Sequence, residues 1–289
     1  MIEMNAVRLN GDSLTGVVKI GGARGNSTVA LVRDMAERIR SGERWVLVHG
    51  ASGCMEDLCC AAEVEPVYVT SPSGYRSRFV GEREMALFMA ACGNYSLRIT
   101  QEFGECGLWG LPLYPGLGTT AAASRKDVLR SQENGRIRLL RGNRSGTIVS
   151  FDTTPILRAW NAGAVPLLPP LAADEAGPDA LNVDGDRMAA AAASALGADV
   201  LVILSNVPGL LRDGSDPDSV VDRSGLDEWD VLESYATGNM KRKLLAAKEA
   251  LLGGVPRSII ADSRVMDPLS SALSGRGTEL CPTSMAAVV

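Results

Sequence analysis

Apolar residues recur along this chain in two alternating rhythms, short β-branched runs and longer stretches of helical period, and the alternation predicts an α/β fold on a mainly parallel sheet. The first run, Gly16 to Ile20, reads as a buried strand that breaks into Gly21-Gly22. Thr28 to Ser41 carries apolar residues at Val29, Val32, Met35, Ala36 and Ile39, a helical period, and Ser41-Gly42 supplies a stop. Trp45 to Val48 is the next buried strand, ending in His49-Gly50-Ala51-Ser52. Strand, helix, strand at this spacing predicts a right-handed βαβ unit, with both small-residue turns on one edge of the sheet, where they would form a cleft.

Pro66 to Gly81 reads as a polar connection, followed by a helix from about Glu82 to Gln101. Thr153 to Ala162 predicts a helix and Val165 to Leu168 a strand closed by Pro169-Pro170. After a polar loop over Ala172 to Ala180, Leu181-Asn-Val-Asp-Gly-Asp-Arg187 leads into an alanine-rich helix ending at Leu196. Asp199 to Leu204 is a further buried strand. A helix opened by Gly238 to Lys243 runs to Leu252, then come a strand at Ser258 to Ala261 and a short helix at Pro268 to Ser274. The composition shift near 172–180 predicts two lobes, 1–178 for the substrate and 179–289 for a nucleotide.

Composition narrows the classes. With 289 residues and a net charge of -5 the chain can bury a large core and has no bias toward nucleic acid or anionic membranes. No run approaches the roughly 18 apolar residues of a membrane span, and the start lacks the order of a secretory signal, so a cytoplasmic protein is expected. Six cysteines without a CxxC pair, beside the single His49, predict no metal site and no nucleophilic triad.

Candidate chemistry sits at the strand ends. Gly21 and Gly22 let a polyphosphate approach backbone N–H groups beside the Lys19 ammonium, although, taken alone, a tight turn after a strand is the commoner explanation of the pair. Arg78 is either solvated or a bidentate carboxylate clamp. The segment 125–144 sets Arg125, Lys126, Arg130, Arg136, Arg138, Arg141 and Arg144 against Asp127 and Glu133, with Asn134-Gly135 as a hairpin turn signal. Such a basic hairpin is a docking field for an acidic partner or an edge protected against aggregation; nucleic acid is disfavoured because no aromatics accompany the charges. Asp184 and Asp186 both stand at a helix start, where capping accounts for one of them. Lys241, Arg242 and Lys243 open a helix against its macrodipole, which is costly unless an anion lies close by.

In these motifs, Val-Val-Lys19-Ile-Gly-Gly, Val-His49-Gly, Ser77-Arg78, Leu181-Asn-Val-Asp-Gly-Asp186, Leu204-Ser-Asn-Val-Pro-Gly-Leu-Leu211 and Met240-Lys-Arg-Lys243, the chain resembles the amino-acid kinase family. Within it the chain is most similar to the acetylglutamate kinase branch, and there to kinases whose aminoadipate or glutamate substrate is attached to a small acidic amino-group carrier protein. The resemblance implies a three-layer αβα sandwich that uses ATP and Mg²⁺. It implies that Lys19 and Lys243 offset charge on the transferring phosphoryl group and that Asp186 holds them. Gly21 and Gly22 would contact phosphate, and Ser205, Asn206, Val207, Gly209, Leu210 and Met240 would border the nucleotide. His49, Gly50 and Ala51 would form the turn over the reacting carboxylate, with Arg78 and Asn182 gripping the amino-acid end. The basic hairpin, through Arg125, Lys126, Arg130, Arg136, Arg138 and Arg141, would face the carrier, and a homodimer or higher homo-oligomer is expected. Ala51 departs from the third glycine usual after His-Gly, and Leu108 to Tyr114 lacks the family's polar Asp-Gly pattern. Phosphorylation of free N-acetylglutamate and a non-catalytic nucleotide or amino-acid sensor are the alternatives; a dinucleotide-binding oxidoreductase lacks its GxGxxG.

Overall fold

A computed structural model of the chain describes residues 13–70, 76–116, 120–133 and 136–283. From the amino end run β1 (Thr15–Ile20), α1 (Thr28–Arg40), β2 (Arg44–His49), α2 (Ser52–Ala61), β3 (Tyr68–Thr70), β4 (Arg76–Arg78), α3 (Glu82–Glu105) and β5 (Trp109–Pro112). Then follow β6 (Ala121–Arg125), β7 (Leu129–Glu133), β8 (Arg136–Leu140), β9 (Gly146–Phe151), α4 (Thr154–Asn161), β10 (Ala164–Leu168), β11 (Leu171–Asp174) and β12 (Ala180–Asn182). The chain closes with α5 (Gly185–Leu196), β13 (Val200–Ser205), β14 (Arg223–Gly225), α6 (Trp229–Tyr235), α7 (Met240–Leu252), β15 (Ser258–Asp262), α8 (Pro268–Leu273) and β16 (Thr278–Cys281).

Eight strands form the main sheet in the order β14-β16-β15-β13-β1-β2-β10-β5, parallel except where β16 runs against β15. Helices cover both faces, so its central strands are apolar on both sides, which is why β1, β2 and β13 read as continuous apolar runs. Val18 and Ile20 pack with Leu31, Val32 and Met35 of α1 on one face. Val17 packs on the other with Met188, Ala189 and Ala192 of α5. The same alternation puts Lys19 on the α5 face, in register with Val48 and Ile203. β1 lies between β2, which follows it directly, and β13, which arrives from the far end of the chain. This is the point where strand order reverses and where open α/β sheets bind ligands.

A second sheet, β12-β11-β6-β9, stands beside α5, and two further ribbons, β3-β4 and β7-β8, lie next to each other. Three sequence expectations are corrected here. The connection 66–81 is partly a ribbon, because Tyr68 to Thr70 pairs antiparallel with Arg76 to Arg78. The expected loop 172–180 contains most of β11, which gains a parallel partner in β6 and an antiparallel one in β12. The hairpin is 129–140 rather than 125–144, since Arg125 ends β6; its Asn134-Gly135 turn lies outside the described residues. α2 was not anticipated, because its Cys- and Ala-rich sequence has a weak apolar period.

Candidate active site

Lys19, Asp186 and Lys243 arrive from β1, α5 and α7 and meet at the carboxyl end of the sheet. Asp186 Oδ1 lies 2.6 Å from Lys19 Nζ, and Asp186 Oδ2 lies 3.3 Å from Lys243 Nζ. All three are buried. Local structure explains the placement of the carboxylate: Asp184 is the N-cap of α5, its Oδ1 accepting from the Asp186 and Arg187 amides at 2.9 and 3.1 Å. Asp184 therefore does the capping and leaves Asp186, in the first turn, free to face the lysines. The opposite end of α5 stops at Gly197 in the left-handed conformation, φ 58°.

Electrostatics at the trio are unequal. Burial opposes the charge on Lys19, but Asp186 at ion-pair distance outweighs it and raises the Lys19 pKa. Burial, then the nearby Lys19 charge, pull the pKa of Lys243 below the ordinary lysine value. Burial alone would raise Asp186, and the two lysines hold it below the usual carboxylate range. Two cations with one bracing anion leave an excess positive charge in a shielded place, suited to an anion.

The turns after β1 and β2 interlock beside this trio. A Cβ at Gly22 would lie 2.2 Å from the Ala51 amide nitrogen and 2.2 Å from the Gly50 carbonyl carbon, so no side chain fits there. The Gly53 amide donates to the Gly22 carbonyl at 2.7 Å, fastening the amino end of α2 to the glycine turn. On the other side Asn26 Nδ2 donates to the Gly21 carbonyl at 3.0 Å, and the buried Ser263 hydroxyl donates to Asn26 Oδ1 at 2.7 Å. The Ser263 amide in turn donates to the Ser205 carbonyl at 2.7 Å. Asn26 and Ser263 were not singled out in the sequence; the only signal for Asn26 is a polar residue in a glycine-rich turn.

His49 ends β2 at the turn, and its side chain lies inside the fold. Its imidazole is fully buried and turned toward α3, with Nε2 accepting from the Ser96 hydroxyl at 2.7 Å, Nδ1 3.1 Å from the Gly50 carbonyl, and the ring 5.3 Å from that of Tyr95. Burial lowers its pKa to about 4, so the ring is neutral and holds the turn instead of facing the cleft. Ala51 stands at φ -141°, outside the left-handed region, and its methyl is buried against Met55 and Leu171, so the missing third glycine is accommodated.

Of the residues expected to grip the amino-acid end, Arg78 ends β4. Its Nη2 donates to Cys59 Sγ at 3.1 Å, while its buried Nε has no partner among the described residues. Asn182 ends β12, its amide donating to the Arg144 carbonyl at 3.0 Å.

In the loop expected to border the nucleotide, Ser205 ends β13, Gly209 is closed in by Thr278 and Val220, and the Leu210 amide donates to Thr278 Oγ1 at 2.8 Å. Leu210 is a core residue beside Val221, Leu232 and Leu244. Asn206 is exposed and Val207 half-buried, so they form the accessible part of the turn. Met240 opens α7 one turn before Lys243. A cleft of about 350 Å³ opens beside this turn between Pro208, Asp262, Val265 and Arg276, but none of the charged trio lines it.

The basic segment divides. Arg125 is paired with Asp174 and Asp179, each at 2.7 Å, and Arg144 with Asp179 at 3.0 Å, so these two brace the second sheet. Register puts Arg130, Gln132, Ile137 and Leu139 on one face of the β7-β8 ribbon and Arg138 on the other; the side chain of Arg136 lies outside the described part. Ile137 and Leu139 are exposed, at 60% and 52%. Lys126, at the root, and Arg141 are exposed.

This sheet, with its order reversal and its lysine-carboxylate-lysine cluster beside paired glycine turns, defines a phosphotransferase, and residues 15–262 match the Amino acid kinase family. The chain belongs to that family and is a kinase, with the ATP use that the family entails. Its relatives include a LysW-aminoadipate kinase of Deinococcus radiodurans, 41% identical over 91% of this chain and 90% of the relative. The LysW-aminoadipate kinase of Thermus thermophilus is 36% identical over 91% and 98%. A LysW-aminoadipate/LysW-glutamate kinase of Sulfolobus acidocaldarius is 33% identical over 91% and 98%. In fold the chain is similar to N-acetylglutamate synthase from Neisseria gonorrhoeae, TM-score 0.76 at 24% identity over 94% of this chain and 60% of that one. Giardia lamblia carbamate kinase gives 0.66 at 16% over 93% and 99%. Among the described residues no helix is long and apolar enough to cross a membrane, and no group of three His, Cys, Asp or Glu could hold a metal.

Proposed function

We propose that this chain transfers the γ-phosphoryl group of ATP to the side-chain carboxylate of an α-amino dicarboxylate, 2-aminoadipate or glutamate, attached to a small acidic amino-group carrier protein. The observation that carries this reading is the meeting of Lys19 and Lys243 on Asp186 beside the Gly21-Gly22 turn. The names of the relatives support the carrier-linked substrate.

The chemistry fits a site without a titrating base. The acceptor carboxylate is already ionised near neutral pH, so one of its oxygens attacks the γ-phosphorus directly. The bond to the β,γ-bridging oxygen breaks and its electron pair leaves with ADP; no proton moves, and the product is an acyl phosphate. Lys19 and Lys243 offset charge on the phosphoryl oxygens, the glycine turns offer backbone N–H groups, and the Arg78 guanidinium offers a donor group to the carboxylate at the amino-acid end. Asp186 is committed to the lysines, and the described residues present no carboxylate cluster, so Mg²⁺ fits as an ion brought on the nucleotide phosphates, whose charge it would neutralise.

The test is to incubate the enzyme, ATP and Mg²⁺ with carrier protein loaded with aminoadipate or glutamate, and with free N-acetylglutamate, trapping products with hydroxylamine. Hydroxamate on the loaded carrier is expected. Hydroxamate from the free compound alone would replace the carrier reading, and none from either would leave a sensor.

A further inference from the structure

We propose that Asn143 is a positioning residue that ties the β7-β8 ribbon to the acceptor clamp; this rests on the function proposed above. Asn143 is fully buried and spends its whole side-chain amide on three separate stretches of chain. Its Oδ1 accepts from the Val80 amide at 3.2 Å, and its Nδ2 donates to the Lys126 carbonyl at 2.7 Å and to Ser145 Oγ at 2.5 Å. Its own backbone amide donates to the Asp127 carbonyl at 3.0 Å, which closes the base of the ribbon across the residues that enter and leave it.

The neighbouring residue completes the link. The Arg144 amide donates to the Val80 carbonyl at 2.7 Å, and the Arg144 carbonyl accepts from the Asn182 amide at 3.0 Å. Both backbone groups of Val80, two residues after Arg78, are therefore held by the segment that leaves the ribbon. The same segment holds Asn182. A partner seated on the ribbon pulls on Asp127 and Asn143, and through them on the two residues assigned to the amino-acid end of the substrate. A buried amide with all of these partners satisfied is rigid, and removing it frees several groups at once. No sequence motif marks Asn143, and neither the charges of the hairpin nor the motifs at the strand ends include it.

The experiment compares wild type with Asn143→Ala in the full chain, reading steady-state kinetics with loaded carrier and amide hydrogen exchange. The KM for the loaded carrier is expected to rise about tenfold or more, with the KM for ATP unchanged and kcat within about threefold. Exchange should quicken about tenfold or more at Val80, Arg144 and Asn182, and stay unchanged at Gly50 and Leu210. A merely structural role would lower the active fraction, hence kcat, and leave both KM values alone; that result, or uniform exchange, overturns the proposal. Should Asn143→Ala fail to fold, Ser145→Ala removes one partner and is expected to give the same pattern at a few-fold scale, with its absence overturning the proposal. If wild type does not phosphorylate loaded carrier, the function proposed above fails, and the exchange pattern alone decides the role of Asn143.

Discussion

Lys19 Nζ stands 2.6 Å from Asp186 Oδ1, a buried ion pair between the first strand and a helix from the second half of the chain. Lys243, whose ammonium is 3.3 Å from the same carboxylate, shares it less closely. Lys19→Ala and Lys243→Ala are each expected to lower kcat by a factor on the order of 10² to 10⁴, the scale for losing a charge-stabilising contact in a shielded site. Near-normal turnover in either variant would remove that lysine from the chemistry. Asp186→Asn leaves two ammonium groups facing each other and is expected to cost about 3–5 kcal/mol in a denaturant titration.

The interlocked turns make opposite forecasts for two neighbouring positions. Gly22→Ala drives a methyl into the Gly50-Ala51 backbone and is expected to abolish ATP turnover and lower the melting temperature. Ala51→Gly removes only a small buried methyl from an ordinary backbone conformation, at a cost of about 1 kcal/mol. Equal damage from both would contradict the packing.

His49 gives the fold a pH dependence of known sign. Its pKa falls from 6.5 to about 4 in the folded chain, so between those values the unfolded state binds more protons. Its contribution to stability is full above pH 6.5 and is lost as pH falls toward 4, an upper figure of about 3 kcal/mol. His49→Gln should flatten the stability curve over that window while leaving activity near neutral pH without a new titration. An unchanged acid slope would show that the ring is solvated.

The ribbon divides its arginines, so their roles should separate in kinetics. Arg130→Glu, on the face with Ile137 and Leu139, is expected to raise the KM for loaded carrier by on the order of tenfold, with the KM for ATP unaffected and the carrier affinity of wild type falling as salt rises. Arg125→Ala breaks the ties to Asp174 and Asp179 and should instead reduce stability. Loss of carrier affinity in Arg125→Ala at full stability would restore Arg125 to the docking face.

Much of this was readable in the residues, and for identifiable reasons. Continuous apolar runs gave β1, β2 and β13 because both faces of the main sheet are covered, and helical period gave α1, α3, α5 and α7. The pairing of Asp184 with Asp186 was legible as one cap plus one surplus carboxylate, and the surplus one reaches the lysines. What the sequence concealed depends on distant partners. β11 exists because β6 lies beside it, Arg125 is occupied because Asp174 and Asp179 are nearby, and the His49 ring is drawn inward by Ser96. None of those neighbours is adjacent in sequence, so no local pattern announces them.

Gly22 touching Gly50-Ala51 leaves no atom's width between the two turns. Under the proposed function, donor and acceptor subsites then share a single wall, and neither can be remodelled without disturbing the other. Divergence toward new acceptors on this scaffold has to be written at the periphery, in the two ribbons that stand away from that wall.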